Sequence, residues 1–224
     1  MKYRYEKPIE MQRGTHYGSN YWEVYSKKVN RIVKFFSNLE YENYLSLEVN
    51  ADVEYFCEQP VEVKVFIDGD NKKTVFDMWV KYKDGREEYQ EVKYSSDLTG
   101  DDEKAVRTKK QIEAQKKWCS ENGQTHVIRT ENEIHTGSFK VRNLRYIAGK
   151  IRRDNCVDYN YFKQHIINYL LEQGKVAIQD IINLNILTKG KEIEYICSMF
   201  YFGIILLDIE DKPICKDTGV SLWH

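Results

Sequence analysis

The sequence predicts an α/β fold with a mixed sheet over residues 1–150, followed by a small helical domain closed by a hairpin over residues 151–224. Three observations predict it. β-Branched and aromatic residues recur in short alternating runs through residues 61–94. A run of helical length without Gly or Pro follows at 101–121 and gives way to an apolar strand. The rest of the chain carries three helical patterns ahead of a last apolar hairpin. At 224 residues the chain also exceeds a typical single domain of about 100–150.

In order, residues 20–36 read as a helix, because Trp22, Tyr25, Val29, Ile32, Val33 and Phe36 recur mainly at three- and four-residue intervals. Ser37-Asn-Leu-Glu40 then opens a second helix through residue 48. Val61, Val63, Val65 and Ile67 mark one strand, Asp68-Gly-Asp-Asn71 turns it, and residues 74–80 form the next. Lys83-Asp-Gly-Arg86 turns again into a third strand at 87–94, giving an antiparallel meander. Residues 101–121 begin acidic, become basic and stop at Asn122-Gly123, as suits a helix and its dipole. Residues 125–130 supply a buried-type strand. After a hinge at Arg152-Arg-Asp-Asn155, helices are predicted at 161–172, 178–184 and 191–202, then a hairpin over 203–215 turning at residues 210–212. Helix, helix, helix, wing is the winged helix-turn-helix order.

With 42% hydrophobic and 31% charged residues and three prolines, the composition is that of a globular protein with a substantial core. The N-terminus has no apolar signal core, and the longest aliphatic run, Ile204-Ile-Leu-Leu207, falls far below the roughly 18 residues of a membrane span. Five scattered cysteines without Cys-x-x-Cys spacing suggest neither a disulfide framework nor a zinc ribbon, so a reducing cytoplasm is expected. Charge is uneven: residues 37–103 carry 7 Lys and Arg against 18 Asp and Glu, whereas residues 104–153 carry 13 against 4. An acidic block beside basic flanks suits a metal-dependent nuclease, since carboxylates hold divalent cations and Lys and Arg hold phosphates. Solvated surface charge is the plainer alternative.

Within Val75-Phe-Asp-Met-Trp79, alternation puts Asp77 on one face with Val75 and Trp79. On the next strand Glu91 and Lys93 lie about 6.5 Å apart along the chain, on one face. Asp followed by Glu-x-Lys after a turn is the skeleton of a PD-(D/E)xK nuclease site. There two carboxylates hold a metal against the scissile phosphate, and an ammonium orients or activates the attacking water and offsets developing charge. The pattern alone is weak, as Glu62-Val-Lys64 shows, and cross-strand ion pairs would explain it equally well.

The wider context is more specific. Ser37-x-Leu-Glu40, residues 47–53, Glu58-Gln-Pro60, Phe76-Asp77, Glu91-Val-Lys93, the basic helix ending Trp118-Cys-x-x-Asn-Gly123 and Val127-Ile-Arg-Thr-Glu131 resemble, in order and spacing, the TnsA-like endonuclease subunits of heteromeric transposases. The tail, Gly203-Ile-Ile-Leu-Leu-Asp208 with Pro213 and Asp217-Thr-Gly-Val220, is similar to that family's C-terminal winged-helix domain. The resemblance implies cleavage of double-stranded DNA at the 5′ ends of a transposon, alongside a DDE-type (TnsB-like) transposase and an AAA+ (TnsC-like) regulator. It implies that Glu40, Asp77 and Glu91 bind Mg²⁺ or Mn²⁺ and that Lys93 serves catalysis. Some members carry Gln before the x-Lys, so Glu91 is closer to the general nuclease pattern. Glu42 and Glu48 are possible substitutes for Glu40.

Further residues have two readings each. Lys104, Arg107, Lys109, Lys110, Lys116 and Lys117 could contact phosphates or simply solvate a helix face. Gln111 and Gln115 are expected to be solvent-exposed, with a place near the scissile phosphate as the alternative. The five histidines form no ligand pattern, His126 reads as a strand residue, and the absence of a Gly-rich phosphate loop assigns any ATP dependence to a partner. The balance of −4 over residues 154–224 points to protein contact through Tyr195, Met199 and Phe202 rather than base reading, with completion of the domain's own core as the alternative for those three residues. A stand-alone restriction or junction-resolving nuclease would cut without partners. A non-catalytic DNA-binding adaptor would leave Glu40, Asp77, Glu91 and Lys93 apart.

Overall fold

A computed structural model describes residues 3–10, 20–67, 69–152, 157–187 and 190–223. The chain divides into two compact units, one ending at Ile134 and the other running from His135 onward together with Val49–Ala51.

The first unit opens with a hairpin, β1 (Trp22–Ser26) and β2 (Arg31–Phe35), where the sequence suggests a helix. Residues of high β-propensity fill both strands, and Asn30, at φ +56°, makes the turn between them. Val33 and Phe35 are buried while Ile32 is exposed, so the period is two. Helix α1 (Asn38–Val49) follows, begun by a capping box: Glu40 N donates to Ser37 Oγ at 3.1 Å, while Ser37 Oγ and Phe36 N donate to the Glu40 carboxylate.

The central sheet has the order β3-β6-β7-β8, built from Val53–Glu58, Met78–Tyr82, Glu87–Val92 and Thr125–Arg129. The intervening β4 (Glu62–Ile67) and β5 (Asp70–Val75) pair only with each other. The expected meander is therefore broken. Residues 74–80 do not form one strand: β5 belongs to the side hairpin, and the chain enters the central sheet after Asp77. The turn at Asp68 lies partly outside the described residues. Gly85, at φ +95°, turns β6 into β7, and the β7–β8 pairing is parallel, which makes the sheet mixed.

Helices cover both faces. From α1, Asn43 donates to Gln90 at 3.0 Å and Tyr44 meets the edge of Phe56. After α2 (Ser95–Thr99), α3 (Glu103–Glu121), capped by Asp102, lies on the other face, where Trp118 packs on Tyr89 and Phe76. The short α4 (Glu131–Ile134) ends the unit. Residues 3–10 lie on this unit too: Tyr3 stacks on Tyr55 at 3.9 Å and Tyr5 bonds Tyr89 at 2.8 Å.

The second unit contains α5 (Lys140–Lys150), α6 (Val157–Gln173), β9 (Val176–Ala177), α7 (Ile178–Asn183), α8 (Glu192–Tyr201), β10 (Ile205–Leu207) and β11 (Gly219–Leu222), with sheet order β10-β11-β9. The division falls before α5, earlier than the boundary expected at residue 150, and most of the expected hinge lies outside the described residues. The last hairpin returns at β11 rather than after a turn at 210–212. Tyr195 and Met199, expected on an exposed face, are 3% and 0% exposed; α8 is buried on nearly every side, and of that trio only Phe202 is open. Among the described residues no helix is long and apolar enough to cross a membrane.

Candidate active site

Asp77, Glu91, Lys93 and Glu40 gather at one edge of the first unit. Asp77 sits at the break between β5 and β6, where its backbone joins two neighbours: Asp77 N donates to Gln90 O and Gln59 N donates to Asp77 O, each at 3.1 Å. Its Oδ2 accepts from Val92 N at 2.8 Å. Lys93 Nζ lies 3.9 Å from that oxygen and 2.5 Å from Glu91 Oε1. Glu91 is fully buried; Gln111 donates to one oxygen at 2.8 Å and Gln115 to the other at 2.6 Å. Glu40, at the start of α1, faces Asp77 and Lys93 electrostatically while its oxygens close the capping box.

One ammonium serves three acids, and the titration of the cluster reflects that. Burial first, then the charge of Asp77, pushes Glu40 up to about 7 and Glu91 up to about 8. Burial raises Asp77 as well, against the pull of Lys93 and the Val92 N–H. Burial opposes the charge on Lys93, yet Asp77, Glu91 and Glu40 together raise it above its ordinary value. Glu40 and Asp77 line a cleft of about 460 Å³ with Gln59, Arg107 and Gln111.

The donor set is hard oxygen with an excess of negative charge, which fits Mg²⁺ or Mn²⁺ chemically. Among the described residues no three His, Cys, Asp or Glu side chains are already arranged as a metal-holding group. Lys93 lies among acids that a cation would share.

Several expectations change. Gln115 is not exposed but buried, bonding Glu91, Thr74, Val75 O and His126, because it shares the buried face of α3 with Ala105, Thr108, Ile112 and Cys119. Burial and Lys116 lower His126 to about 4, so its ring is neutral in that network. Of the α3 basic residues, Arg107 lines the cleft; Lys104 pairs with Asp97, Lys109 with Asp101 and Gly100 O, Lys117 with Phe66 O and Glu121, and Lys110 and Lys116 are exposed. Glu48 is no substitute for Glu40: it accepts from Ser26 Oγ, Lys27 N and Lys28 N and anchors the β1–β2 turn. Glu62 pairs with Lys73 across the side hairpin. Gln59, which the sequence presents only as the middle of Glu58-Gln-Pro60, is a cleft residue, and nothing in its residue type marks it.

Residues 50–131 match the family described as TnsA-like endonuclease N terminal. No curated protein matches the chain. The matched segment begins after Glu40 and contains Asp77, Glu91 and Lys93 together with the helix that supports them. Over residues 50–131 the chain is thus similar to the N-terminal domain of TnsA-like endonucleases.

Proposed function

We propose that this chain is the metal-dependent endonuclease subunit that cuts double-stranded DNA at the 5′ ends of a transposon, working with a DDE-type transposase and an AAA+ regulator. The observation that carries it is the cluster of Asp77, Glu91 and Lys93 within the TnsA-like segment, faced by Glu40 from the helix before that segment. Glu40, Asp77 and Glu91 would hold the divalent ion, Mg²⁺ or Mn²⁺. Bound there, the ion supplies Lewis-acid charge at the scissile phosphate.

The chain's own groups set the rest. Lys93 is held protonated by its three acids, so it can orient a water and offset charge developing on phosphate oxygen but cannot take up a further proton. Gln111 and Gln115 fix the Glu91 carboxylate from both oxygens. Arg107, on the cleft wall, can meet a phosphate, and Lys104, Lys109, Lys110, Lys116 and Lys117 offer sequence-independent attraction along α3. We read the second unit as a winged helix, a reading that its helix and strand order supports, and the burial of α8 argues against that helix reading bases.

Asp77→Asn tests the reading. Asn keeps an oxygen able to accept from Val92 N but removes the charge, so the variant should fold while cleavage falls at least about a thousandfold. Cutting of linear transposon-end DNA at the parental rate, in the presence of partners and Mg²⁺, would remove Asp77 from the site. The chain without partners should cut poorly, since its net charge is −1 and its grip on phosphate is local. Robust cutting alone would favour a stand-alone nuclease.

A further inference from the structure

Glu58-Gln-Pro60 forms part of the cleft wall, and the proposed chemistry leaves it without a task. Its backbone is strained: Gln59 has φ +36°, in the left-handed region that favours glycine, and it precedes Pro60, whose ring restricts the residue before it to extended conformations. Neighbours on three sides hold it there. Both oxygens of the fully buried Glu58 are bonded by Arg31, at 2.6 and 2.7 Å. Gln59 N donates to Asp77 O at 3.1 Å, and Gln59 O accepts from Ile9 N at 2.9 Å. The residue is 4% exposed, yet it lines the Glu40–Asp77 cleft and also the hollow beside it, next to Pro8 and Ile32. Its amide bonds no other side chain among the described residues.

Strain maintained by so many fixed contacts, at a position that delivers one polar group to a cleft, is the usual mark of a functional constraint. The chemistry of the group suits an acidic cleft. An ammonium there would be captured, as Lys93 is by Glu91 at 2.5 Å and Lys73 by Glu62 at 3.1 Å. A carboxamide is neutral, stays available, and can donate to a phosphodiester oxygen. We propose that Gln59 is a substrate-positioning residue whose amide holds the backbone of the bound DNA strand beside Glu40 and Asp77. This rests on the nuclease reading.

Gln59→Gly separates the side chain from the strain. Glycine relaxes the backbone, so the variant should melt no lower than the parent. It should nonetheless cut DNA at least about tenfold more slowly at subsaturating substrate, with the change in KM. A glycine variant that cuts with the parental KM overturns the proposal. Should that variant not fold, Gln59→Glu decides: it keeps the volume but sets a negative charge against phosphate, so DNA binding in chelator should weaken at least about tenfold, and unchanged binding overturns the proposal. Asp77→Asn measured alongside separates the two readings. A parent that cuts, a silent Asp77→Asn and an unaffected Gln59→Gly overturn this inference alone; an Asp77→Asn chain that cuts like the parent overturns both.

Discussion

Glu40 and Glu91 hold their protons to about 7 and about 8, because each is buried and each stands in the field of Asp77. In the unfolded chain both ionise near the ordinary glutamate value of about 4.3. Between those values the folded state binds more protons than the unfolded one, so stability present at low pH is lost as pH rises through the folded values. His126 works in the opposite direction, since its lowered value makes folding more favourable as pH rises toward about 6.5. The acids therefore act without that opposition from about pH 7 to about pH 8.5. In chelator the melting temperature should fall across this window. Mg²⁺ should restore more stability at the upper end than at the lower, where protons compete for the same oxygens. A melting temperature that climbs across the window in chelator would mean the acids do not share one buried field. The chemistry of this cluster is legible in sequence because Asp77, Glu91 and Lys93 are defined by residue type at short spacing. Gln59 is not, because its positive φ follows from bonds to residues as distant in sequence as Ile9 and Asp77. Gln115 escapes for another reason: a polar side chain on a charged helix reads as exposed until its partner, a buried carboxylate, is placed.

Elements with one strong period are legible, and those with two competing periods are not. Helix α3 has no breaker; it stops where the sequence puts its end and starts two residues after the expected start, at Glu103 behind the Asp102 cap. The residues of β1 and β2 suggest a helix because Val29, Ile32, Val33 and Phe36 satisfy a period near 3.6, although the pairing of Val24 with Val33 decides for two. Helix α5 shows a further consequence of where elements end. Residues 135–153 contain no Asp or Glu, and with them the second unit carries 12 Lys and Arg against 10 Asp and Glu, in place of the −4 of residues 154–224. Its buried side is Asn143, Leu144 and Ile147, which leaves Arg142 and Arg145 on the exposed side. We expect Arg142→Glu combined with Arg145→Glu to weaken DNA binding and to flatten its salt dependence, by about 0.9 in log–log slope for each phosphate no longer neutralised. Fluorescence anisotropy across a salt series measures this, and an unchanged slope would assign the phosphate contacts to other residues.

The division of the whole molecule is the least legible feature, because a stretch rich in Arg and Lys looks like a linker while its apolar positions belong to a core. Leu144 and Ile147 are buried in the second unit, and α5 packs on α8. Asn143 fastens the connection between β10 and β11, donating to Ile209 O at 2.8 Å and Lys212 O at 2.7 Å and accepting from Ile214 N at 3.0 Å. Phe139 N donates to Glu210 O, and a side chain at Gly137 would collide with the Glu210 backbone. Residues 137–147 are thus built into the second unit by backbone and core contacts. A chain ending at residue 150 keeps α5 but removes everything that covers it, exposing Leu144 and Ile147 and leaving the Asn143 amide unpaired. A chain ending at Ile134 carries only the three residues Val49–Ala51 of the second unit. On size-exclusion chromatography residues 1–134 should elute as one species, while residues 1–150 should self-associate. The complementary pair should behave in the same sense, with residues 135–224 melting cooperatively and residues 151–224 showing a weaker, broader transition. Equal solubility and monodispersity of the 134- and 150-residue chains would place α5 outside the second unit's core.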